Sequence, residues 1–221
     1  DLVDTVHGVA VPDPYRWLED QEAPETRTWI DEQNRYTDLV LNQLPGRDSL
    51  RTVVTRVLER DTIGLPTERG GRYFYEKRRA DQDLSVLYVR DGLDGEDRIL
   101  IDPHPMSEAH TTSVQFLELS QDGTLVVYGA RVGGVDEVSI HVRNVDTGED
   151  LPEVLPAARY GQVNLTPDKA GFYYERYGDV TPRVMYHELG TDPSKDRMLF
   201  GDGYERHHIP VTSLSDDGRW L

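Results

Sequence analysis

The sequence predicts a mainly β protein with an α-helical N-terminal segment, its β part an incomplete β-propeller of about three blades. Three observations carry that reading. Apolar residues follow a helical period as far as Leu58 and a period of two from about Arg72 onward. A turn rich in Asp and Gly recurs before an apolar run: Ser120-Gln121-Asp122-Gly123, Thr166-Pro167-Asp168-Lys169-Ala170-Gly171 and Ser215-Asp216-Asp217-Gly218, with a weaker copy at Glu68-Arg69-Gly70-Gly71. The glycines at 71, 123, 171 and 218 then follow one another at steps of 52, 48 and 47 residues, a period that marks blade-type repeats. Glycine suits such reversals because it takes positive φ without a Cβ clash, and Asp tolerates the same region.

Residues 1 to 12 read as an extended lead-in with Gly8 and Pro12 as breakers. Asp13 and Pro14 have the character of an N-cap and a first helical residue. From Pro24 to Leu44, Trp29, Tyr36, Val40 and Leu44 share one helical face, and Pro45-Gly46 closes it. Leu50, Val53, Val54, Val57 and Leu58 make Asp48–Glu59 a second amphipathic helix. Its β-branched residues lower its intrinsic propensity, so it needs packing to persist. Trp17 and Trp29 need a partner surface too.

After Gly64-Leu65-Pro66 strands are expected at 72–77, 85–90, 97–101, 113–119, 124–131, 137–144, 160–165, 171–175, 183–188 and 197–200. A last pair is expected to start at 209 and 219. About four short strands per period is what a blade requires. The expected organisation is a helical segment over residues 1–66, then blades one to three and the start of a fourth over 67–221. The chain starts at Asp1 without Met and stops at Trp220-Leu221, just after a turn, so it reads as a fragment of a longer protein.

Composition narrows the function. The formal charge is −17, which argues against nucleic acid or an anionic membrane as partner. No run approaches the length of a membrane span, and there is no cysteine, so thiol catalysis and Cys-based metal sites are excluded. None of the nine serines lies in a G-x-S-x-G elbow. Asp202, Glu205, His207 and His208 invite a metal reading, but adjacent histidines on an extended segment face opposite ways, and a solvated loop is expected instead. Glu19, Asp20, Glu22 and Glu25 read as helix-start charges complementing the macrodipole. Asn164-Leu165-Thr166 matches a glycosylation sequon, and the basic-aromatic run Tyr73–Arg79 reads as a half-buried strand. No cofactor, metal ligand or catalytic residue is expected in this chain.

One combination is more specific. Pro12-Asp13-Pro14-Tyr15-Arg16-Trp17-Leu18-Glu19-Asp20 with Trp29, Gln33-Asn34 and Pro45-Gly46-Arg47 resembles the N-terminal signature of the prolyl oligopeptidase family. The likeness continues through Arg72-Tyr73-Phe74-Tyr75, Ser85–Asp91, Ile101-Asp102-Pro103, Leu119–Gly123, Tyr186–Asp192 and Leu214–Arg219. It implies a serine peptidase with an α/β-hydrolase domain and a seven-bladed propeller that restricts substrate size. Residues 1 to about 66 would then pack on the hydrolase domain. The resemblance places the catalytic Ser, Asp and His in a C-terminal α/β-hydrolase domain missing from this chain. It implies short proline-containing peptides as substrates and a cytoplasmic location. Tyr160 matches the family's aromatic residue lining the subsite beyond proline, where Phe is usual. The alternatives are a non-catalytic propeller binding module and an oligopeptidase B-like enzyme cleaving after basic residues.

Overall fold

The computed structural model describes residues 2–158, 162–176, 181–205 and 207–221, with the side chains of 156–158 left aside. The chain divides into two compact units, Asp1–Leu58 and Glu59–Leu221.

In the first unit the lead-in is a hairpin. Strands β1 (Leu2–Val6) and β2 (Val9–Asp13) pair antiparallel with Val6 opposite Val9. His7 and Gly8 between them both have positive φ, at 50° and 82°, the two-residue turn whose twist matches a hairpin. Asp13 does not cap a helix. Its carboxylate accepts from the Tyr15 amide at 3.0 Å and from Arg16 Nε at 2.7 Å, and a short 3-10 turn follows at Arg16–Glu19. The first α-helix, α1 (Pro24–Leu41), begins ten residues later with Pro24 in its first turn. It ends three residues before the expected Leu44, and α2 (Arg47–Leu58) follows. Gly46, at φ 83°, supplies the carbonyl that accepts the Leu50 amide and so opens α2. Trp17 and Trp29 meet edge to face at 6.2 Å, and the Thr26 hydroxyl beside them donates to the Trp17 carbonyl.

The second unit is three antiparallel sheets in sequence order. The first holds β3 (Thr62–Ile63), β4 (Thr67–Arg69), β5 (Arg72–Arg78), β6 (Val86–Asp91) and β7 (Arg98–Ile101), with β3 and β4 both pairing along β5. The second runs β8 (Thr112–Leu119), β9 (Leu125–Val132), β10 (Val138–Asn144) and β11 (Asp150–Ala158). The third runs β12 (Val163–Leu165), β13 (Gly171–Arg176), β14 (Arg183–Glu188) and β15 (Arg197–Phe200). These are consecutive blades of an incomplete propeller.

Burial on both faces explains the apolar strands. Along β9, Val126 and Tyr128 enter the core shared with Phe74, Leu87 and Ile101 of the first sheet. Val127, pointing the other way, enters the core shared with Phe172 and Tyr174 of the third. Period-two alternation thus feeds two cores from one strand. β11 was not expected from sequence because Pro152 and Pro156 interrupt it. It is an edge strand of its sheet, where a missing N–H is tolerated. The residues at 209 and 219 form no strand, although Ser215 and Trp220 close a turn through a 2.8 Å backbone bond.

The recurring turn has one geometry in three copies. The amide of Ser120, Thr166 or Ser215 donates to the carbonyl five residues on, Leu125, Gly171 or Trp220. The Ser or Thr hydroxyl oxygen accepts the amide of that same fifth residue. The left-handed place is taken by Gly123 and Gly218, but in the middle copy by Lys169, at φ 57°. The expected repeat point Gly171 is therefore out of register by two residues. Gly71 differs again: with Gly70 it forms a two-residue hairpin turn, φ 58° and 79°, between Arg69 and Arg72.

Candidate functional site

The turn ends of the sheets converge. Glu68–Gly70, Glu118–Gln121, Asn164–Pro167 and Leu214–Asp216 border an open cavity of about 490 Å³. Neighbouring turns hold one another around it. Arg72 Nη1 donates to the Gly123 carbonyl at 3.0 Å, Gln121 Nε2 donates to the Asp216 carbonyl at 2.9 Å, and Lys169 Nζ reaches Asp122. The approach is close enough that a Cβ on Gly70 would lie 2.1 Å from the Asp122 carbonyl oxygen. Only glycine fits there.

The polar groups lining this cavity are engaged in structure. Ser120 Oγ donates to Asp122 at 2.7 Å while accepting the Thr124 and Leu125 amides. Ser215 repeats the pattern with Asp217 and Trp220. Burial pushes the Glu118 carboxyl above its ordinary range, while its one named bond is to the Leu119 amide. The sequon residue Asn164 is buried, its amide bonded to Thr212 Oγ1 at 3.0 Å and to the Leu214 amide at 3.0 Å. In that position it is closed to a glycan.

A nucleophile poised for attack would need a base, an orienter and oxyanion donors. The nearest approach is Ser139 Oγ, 2.9 Å from His141 Nε2. Burial lowers the basicity of His141, which stacks on Tyr128. No carboxylate hydrogen-bonds its other ring nitrogen among the described residues. The rings of His207 and His208 stack at 4.4 Å, which corrects the expectation that they face apart, because this stretch is a turn and not a strand. Among the described residues no group of three or more His, Asp or Glu is arranged to hold a metal ion, and no helix is long and apolar enough to cross a membrane. The basic residues of the Tyr73–Arg79 run turn inward: Lys77 pairs with Asp97 at 3.0 Å. Tyr160 lies outside the described residues.

The sequence profile described as "Prolyl oligopeptidase, N-terminal beta-propeller domain" matches residues 1–221. The chain belongs to the prolyl oligopeptidase family. Within that family it is 33% identical to the prolyl endopeptidase of Elizabethkingia meningoseptica, over 99% of this chain and 32% of that protein. It is 26% identical to dipeptidyl aminopeptidase BI of Pseudoxanthomonas mexicana, over 98% of this chain and 33% of that protein. A solved structure from a study of two prolyl endopeptidases superposes with a TM-score of 0.87 at 36% identity, covering 98% of this chain and 34% of the other. Prolyl oligopeptidase B from Galerina marginata, bound to a 35mer substrate, gives 0.80 at 25% identity, over 99% and 34%. The chain thus spans about a third of the length of the prolyl oligopeptidase relatives it matches.

What sequence reasoning missed in this prolyl oligopeptidase propeller is a set of buried polar contacts between strands. Tyr75, Tyr128 and Tyr174 each bond an aspartate in the loop or strand that follows. Their signal was a constant separation of 22 residues, hidden because Tyr and Asp are each unremarked in a β-rich chain.

Proposed function

We propose that this chain is the N-terminal part of a serine peptidase that hydrolyses short peptides on the carboxyl side of proline, its blades restricting substrate size. The profile match over all 221 residues carries the reading, supported by the identity to a prolyl endopeptidase along nearly the whole chain. Residues 1 to about 66 would pack on an α/β-hydrolase domain supplied by the rest of the protein. The unit that contains them leaves Trp17 and Trp29 37% and 40% exposed, and such large apolar rings favour a covering surface.

On this reading the hydrolase domain brings Ser, His and Asp. The Ser oxygen attacks the carbonyl after proline, His takes its proton and returns it to the leaving amine, and Asp orients His. The blades contribute exclusion, not chemistry: their hydroxyls and carboxylates are tied into turns. Tyr160 would line the subsite beyond proline, and the protein would work in the cytoplasm without a cofactor. A Gly-Pro reporter peptide tests the activity. The intact protein should release the reporter, and the 221-residue chain alone should not. An intact protein that spares this peptide, or that cleaves only after Arg or Lys, overturns the reading.

A further inference from the structure

The three tyrosine–aspartate pairs are equivalent, and each has a third member. In the register of the blades, Tyr75 faces Tyr88, Tyr128 faces His141 and Tyr174 faces Met185. Two residues beyond each facing partner stands a basic side chain that reaches the same aspartate. Arg90 Nε lies 2.8 Å from Asp97, Arg143 Nε lies 2.7 Å from Asp150, and His187 Nδ1 lies 2.7 Å from Asp196. Each triad therefore ties the second and third strands to the start of the fourth. Blades one and two use arginine, which carries its charge at every accessible pH. Blade three uses the one basic side chain that changes charge near neutrality.

The surroundings of His187 fit a cation better than a neutral ring. It is fully buried, and so are the carboxylates of Asp196 and Glu153, at 1% and 2% exposure. Its Nε2 has no hydrogen-bond partner and lies 3.9 Å from Glu153 Oε1 on β11 of the preceding blade. Glu153 accepts the Gly190 amide at 2.9 Å through that oxygen, and its other oxygen is unpartnered. A neutral ring that donates from Nδ1 to Asp196 turns the lone pair of Nε2 toward a carboxylate. It also leaves two buried anions without a counter-charge, which is costly. A protonated ring donates toward both.

The other groups around it do not supply that charge. The Tyr174 hydroxyl, from β13, donates to Asp196 at 2.7 Å, and the Phe172 ring stands 5.2 Å from the imidazole. Arg176, further along β13, acts on Tyr174 from an exposed position. Glu188, Lys195 and Arg197, which flank the triad in sequence, are exposed.

We propose that the triads clasp the strands of each blade, and that the third is a proton-dependent joint in which protonated His187 bridges Asp196 to Glu153 across the boundary between blades two and three.

Amide hydrogen exchange on the intact protein at pH 5.5 and 8.0, corrected for the intrinsic rate, tests this. Peptides from β14 and β15 should lose about tenfold in protection at the higher pH relative to peptides from β9 and β10, whose clasp uses Arg143. His187→Arg should abolish that difference. Exchange of the His187 ring C2 hydrogen, followed by mass spectrometry, reads its charge without any substitution and should show a change between those two pH values. Equal behaviour of the two blades, a difference that survives in H187R, or a ring whose charge is the same at both pH values would each overturn the proposal.

Discussion

Lys169 holds the left-handed place in its turn that Gly123 holds in the blade before, and its ammonium reaches back to the carboxylate of Asp122 beside that glycine. A non-glycine residue there costs about 1–2 kcal/mol of backbone strain. The lysine keeps the place because its charge joins two blades. Lys169→Ala retains the strain and loses the pair, whereas Lys169→Gly loses the pair and relieves the strain. Urea unfolding should therefore show the Gly variant more stable than the Ala variant by about 1 kcal/mol. Equal midpoints would mean that the turn carries no strain.

Asp97 gathers Tyr75, Arg90 and Lys77. The Tyr75 hydroxyl first, then Arg90 and Lys77, hold its carboxyl well below the usual aspartate range. Burial first, and then Asp97, push the Tyr75 phenol up to about 12. A depressed carboxylate stabilises the fold above its unfolded value, and that contribution is lost as pH falls through the folded one. Thermal stability should fall as pH drops below about 4, and Asp97→Asn should flatten that fall while lowering stability at pH 7. An unchanged acid limb in D97N would show that Asp97 does not govern it.

Tyr128 donates to Asp150 at 3.0 Å from a nearly sealed position, with the Arg143 guanidinium over its ring. Tyr128→Phe keeps the packing and removes one charge-assisted bond, an expected loss of about 1.5–3 kcal/mol. Ile140→Ala, a cavity in the core between blades two and three, should cost about 2–5 kcal/mol. Chemical denaturation distinguishes the two sizes of effect. A Phe variant as stable as the parent would mean that the clasp contributes nothing net.

Asn164 fastens the stretch at Thr212–Leu214 with both ends of its amide. Asn164→Ala should raise amide exchange in residues 209–215 several-fold and leave β8 to β10 unchanged. If that stretch exchanges as before, Glu175 alone suffices to hold it through Thr212.

Much of this architecture was legible because burial on both faces writes itself into apolar runs. Val126, Val127 and Tyr128 announce a buried strand, and α1 and α2 announce themselves by their period. Position-specific detail was less legible. Gly171 looked like the turn residue, yet Lys169 bends, because a cross-blade charge pair offset a local preference. β11 was masked by two prolines that only its edge position permits. His7 gave no sign of the β1–β2 turn, since a lone histidine at positive φ has no pattern around it. The clasps escaped notice because their members are far apart in sequence and ordinary in type. Membership of the family, by contrast, was carried by a short stretch, Asp13–Asp20, whose spacing of Pro, Tyr, Trp and acids is hard to meet by chance.

The anchoring of Thr212 by Glu175 and of Leu214 by Asn164 has a consequence for how such blades are made. Side chains of blade three offer the incoming segment hydrogen bonds that a neighbouring strand would otherwise offer. A new segment is thus seated by its predecessor before it has a sheet of its own. Growth by that route is a relay, each finished blade serving as the mould for the next, and it would let the propeller assemble in the order in which the ribosome delivers it.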